Sequence, residues 1–178
     1  MTTSTGRLLW LPLAALLGTA PAWPSDAVEL PVRKPGLWEM KMDGGAQLPT
    51  VTMQHCTDET IDKQMSTAFS PMSKEVCAKN EIRKTATGYS TDADCSAGGM
   101  STKTHADITG DFNSAYTVKV TSHQDGGPTE VPRDATMMLQ AKWLGACKPG
   151  QKPGDVVMPG GFKMNIKDIE KLKALMPK

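Results

Sequence analysis

Aromatic side chains are scarce in this chain: Phe, Tyr and Trp make up 5% of its 178 residues. A core built on stacked rings alone is excluded, and packing falls to aliphatic and sulfur side chains. Long hydrophobic runs are missing as well. The longest, Leu8–Leu17, has ten residues, whereas a membrane-spanning helix needs about 20. Net charge is close to zero, at +1 formally. Long-range attraction for nucleic acid or anionic lipid is therefore lacking, and no nucleic-acid partner is expected. Histidine is limited to His55, His105 and His123. No G-x-S-x-G or H-E-x-x-H motif accompanies them, which removes the usual signatures of a hydrolase. The four cysteines form no C-x-x-C and no C-x-x-C-H, so a thioredoxin-like redox site and covalent haem are not expected. Their spacings of 21, 18 and 52 residues do not resemble a zinc ribbon. The chain reads as non-enzymatic and without a cofactor.

What is present begins with an export signal. Residues 1–27 have one positive charge at Arg7, the apolar run Leu8–Leu17, then small residues and prolines, in the order of a secretory leader. Cleavage is expected after Ala22 or after Ala27. No cysteine flanks either site, so a lipoprotein anchor is not expected. Without Arg7 the chain has 19 basic and 19 acidic residues. No second hydrophobic run follows, and the mature chain is expected to be soluble with no transmembrane segment. An exported chain folds in an oxidising compartment, where cysteines form structural disulfides.

The mature part suits one domain. Between residues 36 and 147 the pattern is mostly of period two, which predicts antiparallel sheet. Trp38, Met40 and Met42 alternate with Glu39 and Lys41; Val51, Met53 and His55 alternate with Thr52 and Gln54. Tyr116, Val118 and Val120 repeat the pattern, as do Met137, Leu139, Ala141 and Trp143. Gly and Asp clusters at 43–45, 98–99, 110–111 and 125–128 mark the turns. The fold class is therefore mainly β: a meander forming a curved sheet or a barrel. A short helix over Glu59–Phe69, capped by Thr57 or Asp58, is inserted after the first hairpin. The Pro- and Gly-rich stretch Lys148–Gly161 reads as a linker. A C-terminal amphipathic helix over Asn165–Met176 follows, with Asn165 as its cap and Ile166, Ile169 and Leu172 on one face.

Four cysteines allow three pairings. A hairpin turning at Thr85–Gly88 pairs residues whose numbers sum to 172. It sets Cys77 opposite Cys95, Lys79 opposite Ala93, and Glu81 opposite Thr91. Cys56 is then left for Cys147, with Cys56–Cys77 plus Cys95–Cys147 as the alternative. Cys56 has the strand parity of Thr52 and Gln54 rather than of Met53, so a bulge or strand end is expected at His55–Cys56.

Three kinds of site are open. Trp38, Met40, Met42, Met53 and Trp143 form a candidate wall for a small apolar ligand, since methionine adapts to varied apolar shapes; ordinary core packing explains the same pattern. Met40, Met42, Met53 and His55 are soft donors that suit copper, a weaker candidate. Carboxylate pairs such as Asp92/Asp94 and Asp107/Asp111 have the chemistry for acid–base work, but near turns aspartates usually bond the backbone. Binding of a small apolar molecule or an envelope component is expected, with a structural or protein-interaction module as the alternative.

The segment Lys34-Pro35-Gly36-Leu37-Trp38-Glu39, the later Gln54-His55-Cys56-Thr57-Asp58-Glu59, the mid-chain Cys77 and Cys95, and the final Leu144-Gly145-Ala146-Cys147 resemble the DUF3617 family over residues 34–147. These are small exported bacterial proteins of unknown function. The resemblance implies a Gram-negative periplasmic address and supports the disulfide reading. It carries over no active-site residues, and residues 148–178 lie outside what it covers.

Overall fold

The structure, a computed structural model, describes residues 28–45, 49–68, 76–127 and 132–168. The expected export signal lies outside these residues, as does the C-terminal helix beyond its first turn. Nine strands form one antiparallel sheet: β1 (Gly36–Asp43), β2 (Val51–Thr57), β3 (Cys77–Lys84), β4 (Gly88–Ala97), β5 (Met100–Asp111), β6 (Ala115–Asp125), β7 (Asp134–Gly145), β8 (Asp155–Val157) and β9 (Lys163–Asn165). Their spatial order is β3-β4-β5-β6-β7-β1-β2-β8-β9. The sheet is open, with β3 and β9 at its edges, so the curved sheet holds and the barrel does not.

β3 to β7 are a plain meander, with connections of two or three residues from β3 through β6. Gly98 and Gly99, both at positive φ of 57° and 80°, make the two-residue turn between β4 and β5, a geometry that side-chain-bearing residues resist. Asp111 makes the next turn, accepting hydrogen bonds from the Asn113 N–H at 2.9 Å and the Ser114 hydroxyl at 3.0 Å. β7 then returns to pair with β1, with a register shift between Leu37 and Trp38. Gly36 enters this junction at φ 132°. A Cβ there would collide with the Gly145 carbonyl oxygen and lie 2.7 Å from Trp143 Nε1, so no larger residue fits.

Helix α1 (Glu59–Ala68) follows β2. Asp58 is its cap, its carboxylate accepting from the Ile61 N–H at 2.8 Å. One sheet face carries Trp38, Met40, Met42, Val51, Met53 and His55 from the first hairpin, continued by Ala141, Tyr116, Val118, Ala106 and Ile108. Leu37, Trp38, Cys56, Ile61, Ala106, Ile108 and Ala141 are the buried apolar residues, so the densest core sits where α1 meets β1 and β2. An aromatic row runs from there along the sheet end: Trp38 to Tyr116 at 5.7 Å, Tyr116 stacked on Phe112 at 4.8 Å, and Phe112 edge-on to Tyr89 at 6.2 Å. Few as they are, the rings sit together.

Three local expectations are corrected. In the β3–β4 hairpin Cys77 does face Cys95, but a bulge between Cys77 and Lys79 shifts the rest by one. Lys79 faces Asp94 and Glu81 faces Asp92, which brings Glu81, Arg83 and Asp92 into one charged cluster. The pairing through Cys56 is regular, Leu37 against Cys56 and Trp38 against His55; the irregularity falls on β1 and β7 instead. Cys56 is buried on the opposite face because the Cys147–Asp155 segment crosses there, with the Gly154 N–H donating to the Cys56 carbonyl at 2.8 Å. Finally, residues 148–161 are not a plain linker. They contribute β8, which pairs with β2, and a 3-10 turn at Pro159–Gly161 leading to β9. Asp155 anchors this addition through Lys163 at 2.7 Å and Asn165 at 2.7 Å. Asn165 also accepts from the Lys167 N–H at 3.0 Å, capping the first helical turn at 166–168.

Both expected disulfides are present: Cys56–Cys147, separated by 91 residues, and Cys77–Cys95, separated by 18.

Candidate functional site

Three buried polar side chains, Arg33, His55 and Asp62, lie together between α1 and the β1–β2 hairpin. Arg33, just before β1, is 7% exposed and Asp62, on α1, 8%. Arg33 meets that carboxylate three times: its backbone N–H donates to Oδ2 at 2.7 Å, its Nε to Oδ1 at 2.6 Å, and its Nη2 lies 2.5 Å from Oδ1. The remaining reach of the guanidinium is toward softer groups. Nη2 faces His55 Nδ1 at 3.4 Å and the Met65 sulfur at 4.0 Å; Nη1 faces the Met40 sulfur at 3.6 Å. The plane also lies 5.9 Å from the Trp38 ring centroid, a cation–π contact.

His55 is fully buried, and its Nε2 has no hydrogen-bond partner among the described residues. Burial, reinforced by the Arg33 charge and opposed by Asp62, lowers its pKa to about 4. The ring is therefore neutral at physiological pH. Burial also raises the Tyr116 phenol above its ordinary value. Met40 and Met65, whose sulfurs face Arg33, are half-buried.

The chain before β1 is strapped across the sheet end. The Lys34 N–H donates to the Phe112 carbonyl at 2.9 Å, Trp38 Nε1 to the Lys34 carbonyl at 2.8 Å, and Trp143 Nε1 to the Pro35 carbonyl at 3.1 Å. Lys34 Nζ lies 3.7 Å above the Trp143 ring. The Lys-Pro-Gly-Leu-Trp motif is thus a clamp that seats Arg33 beside Asp62.

Of the candidate wall, Trp38 and Met40 belong to this cluster. Met53 faces Met40 and Met42 faces Val51 further along the same face, while Trp143 lies at the rim over Lys34. Of the soft donors, Met40 and His55 come together, but the Arg33 guanidinium faces the Met40 sulfur and His55 Nδ1, the atoms a copper ion would need. Among the described residues no group of three or more His, Cys, Asp or Glu is placed to hold a metal ion. His105 and His123 are about half exposed, each between two aspartates: His105 with Asp92 at 2.8 Å and Asp107 at 3.3 Å, His123 with Asp134 at 2.7 Å and Asp125 at 3.4 Å. Hydrogen bonds to Asp92 and Asp134 raise their pKa values. Two surface depressions are present among the described residues, about 450 Å³ at the Gly98-Gly99 turn and about 440 Å³ around Glu39, Lys41, Ala115 and Gln140; no methionine of the wall lines either.

Sequence reasoning missed Arg33 and Asp62. Asp62 carried a signal, since it falls on the helix face of Ile61 and Met65, where a charge needs a partner. Arg33, 29 residues away, carried none.

No helix among the described residues is long and apolar enough to cross a membrane. Neither the curated proteins nor the solved structures contain a match to this chain. The family model of DUF3617, described as a protein of unknown function, matches residues 33–147. That span opens on Arg33 and closes on Cys147, the start of the clamp and the end of the long disulfide, and the chain belongs to the DUF3617 family.

Proposed function

We propose that this protein is a non-enzymatic binding protein of the periplasm that holds a small apolar ligand between its curved sheet and α1. One observation carries the reading: the sulfurs of the half-buried Met40 and Met65 meet the Arg33 guanidinium at 3.6 and 4.0 Å, beside the buried Trp38 and His55. Methionine is unbranched and flexible, so an entrance there opens by side-chain rotation alone. Beyond it Met42, Met53, Val118 and Val120, all half-buried, continue the apolar face. The periplasmic address rests on the sequence of residues 1–27 and on the two disulfides, which persist in oxidising compartments.

The test is native mass spectrometry of protein released gently from the periplasm, followed by titration of the delipidated protein with the apolar dye N-phenyl-1-naphthylamine. The expected result is a retained small-molecule adduct and saturable dye binding that Met40→Lys abolishes. Bare protein with no saturable dye binding refutes the reading. It would favour an interaction module, for which Phe162, 64% exposed in the turn between β8 and β9, is the specific observation.

A further inference from the structure

Where α1 meets the first hairpin, one fully buried hydrogen-bond donor has no acceptor among the described residues. Arginine can only donate. The His55 Nδ1 that faces Arg33 Nη2 at 3.4 Å is therefore the unprotonated nitrogen, and the ring proton resides on Nε2. That N–H is fully buried and has no partner among the described residues. Arg33 is better served: beside Asp62 its guanidinium bonds the Tyr116 hydroxyl, and its Nη1 faces the Met40 sulfur at 3.6 Å. A thioether is a weak acceptor, and a buried donor without a partner keeps its whole desolvation cost. Such a group in a native fold calls for an explanation.

Charge decides what fits. Asp62 already neutralises Arg33 at close range, and the buried His55 is neutral, so the cluster has no cation to spare. A carboxylate or phosphate would bring a second negative charge next to Asp62. A pure hydrocarbon would leave the donor as it is. A neutral carbonyl oxygen accepts a hydrogen bond and adds no charge. We propose that the Arg33–His55 end of this join is a head-group site for an acyl ester or amide, whose carbonyl oxygen accepts from His55 Nε2 once Met40 and Met65 rotate aside. This rests on the apolar-ligand reading above and names the ligand's polar end.

The experiment displaces N-phenyl-1-naphthylamine from the oxidised protein at pH 7.5 with methyl laurate, dodecane or laurate. Methyl laurate is expected to bind about tenfold tighter than either of the others, the worth of about one hydrogen bond. His55→Phe keeps a ring and removes the donor; it should lose the preference and still bind dodecane. Should that variant fail to fold, nitrogen-15 NMR of the unaltered protein replaces it. The His55 Nε2–H resonance should then move on adding methyl laurate and stay in place with dodecane. Ester and alkane binding within twofold of each other, or an unmoved resonance, overturns the head-group site and leaves the apolar-ligand reading standing. Tightest binding by laurate overturns the neutral-acceptor argument in favour of an anion. Failure of all three probes to displace the dye overturns both.

Discussion

Acidification should destabilise this protein in two separate stages, and the first belongs to His55. In the fold its pKa is about 4, lowered chiefly by burial and further by Arg33; in the unfolded chain it returns to about 6.5. Between these values the unfolded state binds the proton and the folded state refuses it. Stability therefore falls as pH drops from about 6.5 to about 4 and is level above that window. The gap is worth about 3 kcal/mol in full, at about 1.4 kcal/mol for each pH unit. Few other groups enter the window: Glu81, held below its ordinary value chiefly by the hydrogen bond from Arg83, touches only its acid end. His105 and His123 have raised pKa values, so their contribution is complete below about 6.5 and declines only as pH rises through their folded values. Asp155 lies on the far side. Burial pushes its carboxyl up, but Lys163, Asn165 and the Lys152 N–H outweigh that and hold it at about 2, so its contribution is lost only below about pH 4. Urea unfolding of the oxidised protein at pH 7 and pH 4.5 measures the first stage, with His55→Gln as the control. The unaltered protein should lose about 2 kcal/mol between the two pH values, and the variant should lose much less. Equal stability at both pH values, or an equal loss in the variant, refutes the argument that His55 is held neutral by its surroundings.

Three further outcomes follow from the same geometry. Trp38→Ala should cost about 3–5 kcal/mol in equilibrium unfolding, because the ring is fully buried and joins Arg33 to the aromatic row; a loss under about 1 kcal/mol would show the ring to be dispensable. Asp62→Ala should cost about 3–5 kcal/mol by stranding the Arg33 charge, while Arg33→Met with Asp62→Leu should recover much of that loss; a double variant no better than Asp62→Ala would deny the pair its coupling. Replacing Cys56 and Cys147 by serine should destabilise by about 4–5 kcal/mol and replacing Cys77 and Cys95 by about 3, from loop closures of 91 and 18 residues. Unfolding of the two double variants checks the order, and a reversal would mean that the loop-entropy account fails here.

The polar cluster gives the Lys34–Glu39 segment of this chain its role. Pro35 extends the chain, Gly36 admits the close passage of Gly145, and Trp38 anchors the strand, so that Arg33 is delivered to a carboxylate on a helix that the chain reaches only later. A folding device and a candidate binding site are thus one structure. The outer face is different in kind: Glu81, Arg83, Asp92 and His105 pair across strands at exposed positions, where such bridges add little.

Local chemistry was readable from residue order. Alternation at Trp38–Met42, Val51–His55 and Tyr116–Val120 predicted strands and their faces, Asp58 and Asn165 announced helix starts, Gly98-Gly99 a tight turn, and hairpin symmetry the Cys77–Cys95 bridge. Each depends on neighbours a few residues apart, where backbone geometry and side-chain period decide the outcome. What lay beyond the sequence was set by pairing across long separations. The return of β7 to β1, the addition of β8 and β9 from a stretch that looked like a linker, the one-residue shift after Cys77, and the meeting of Arg33, His55 and Asp62 all depend on which strand finds which edge. A three-residue strand such as β8 has too little pattern to announce itself, and it is a strand only because β2 offers an open edge. A charged pair 29 residues apart is likewise invisible until the sheet and helix enclose it. Residue order determined the elements and their apolar faces; only the tertiary structure decided which polar groups those faces would bury, because burial belongs to the assembled fold and not to any segment of it.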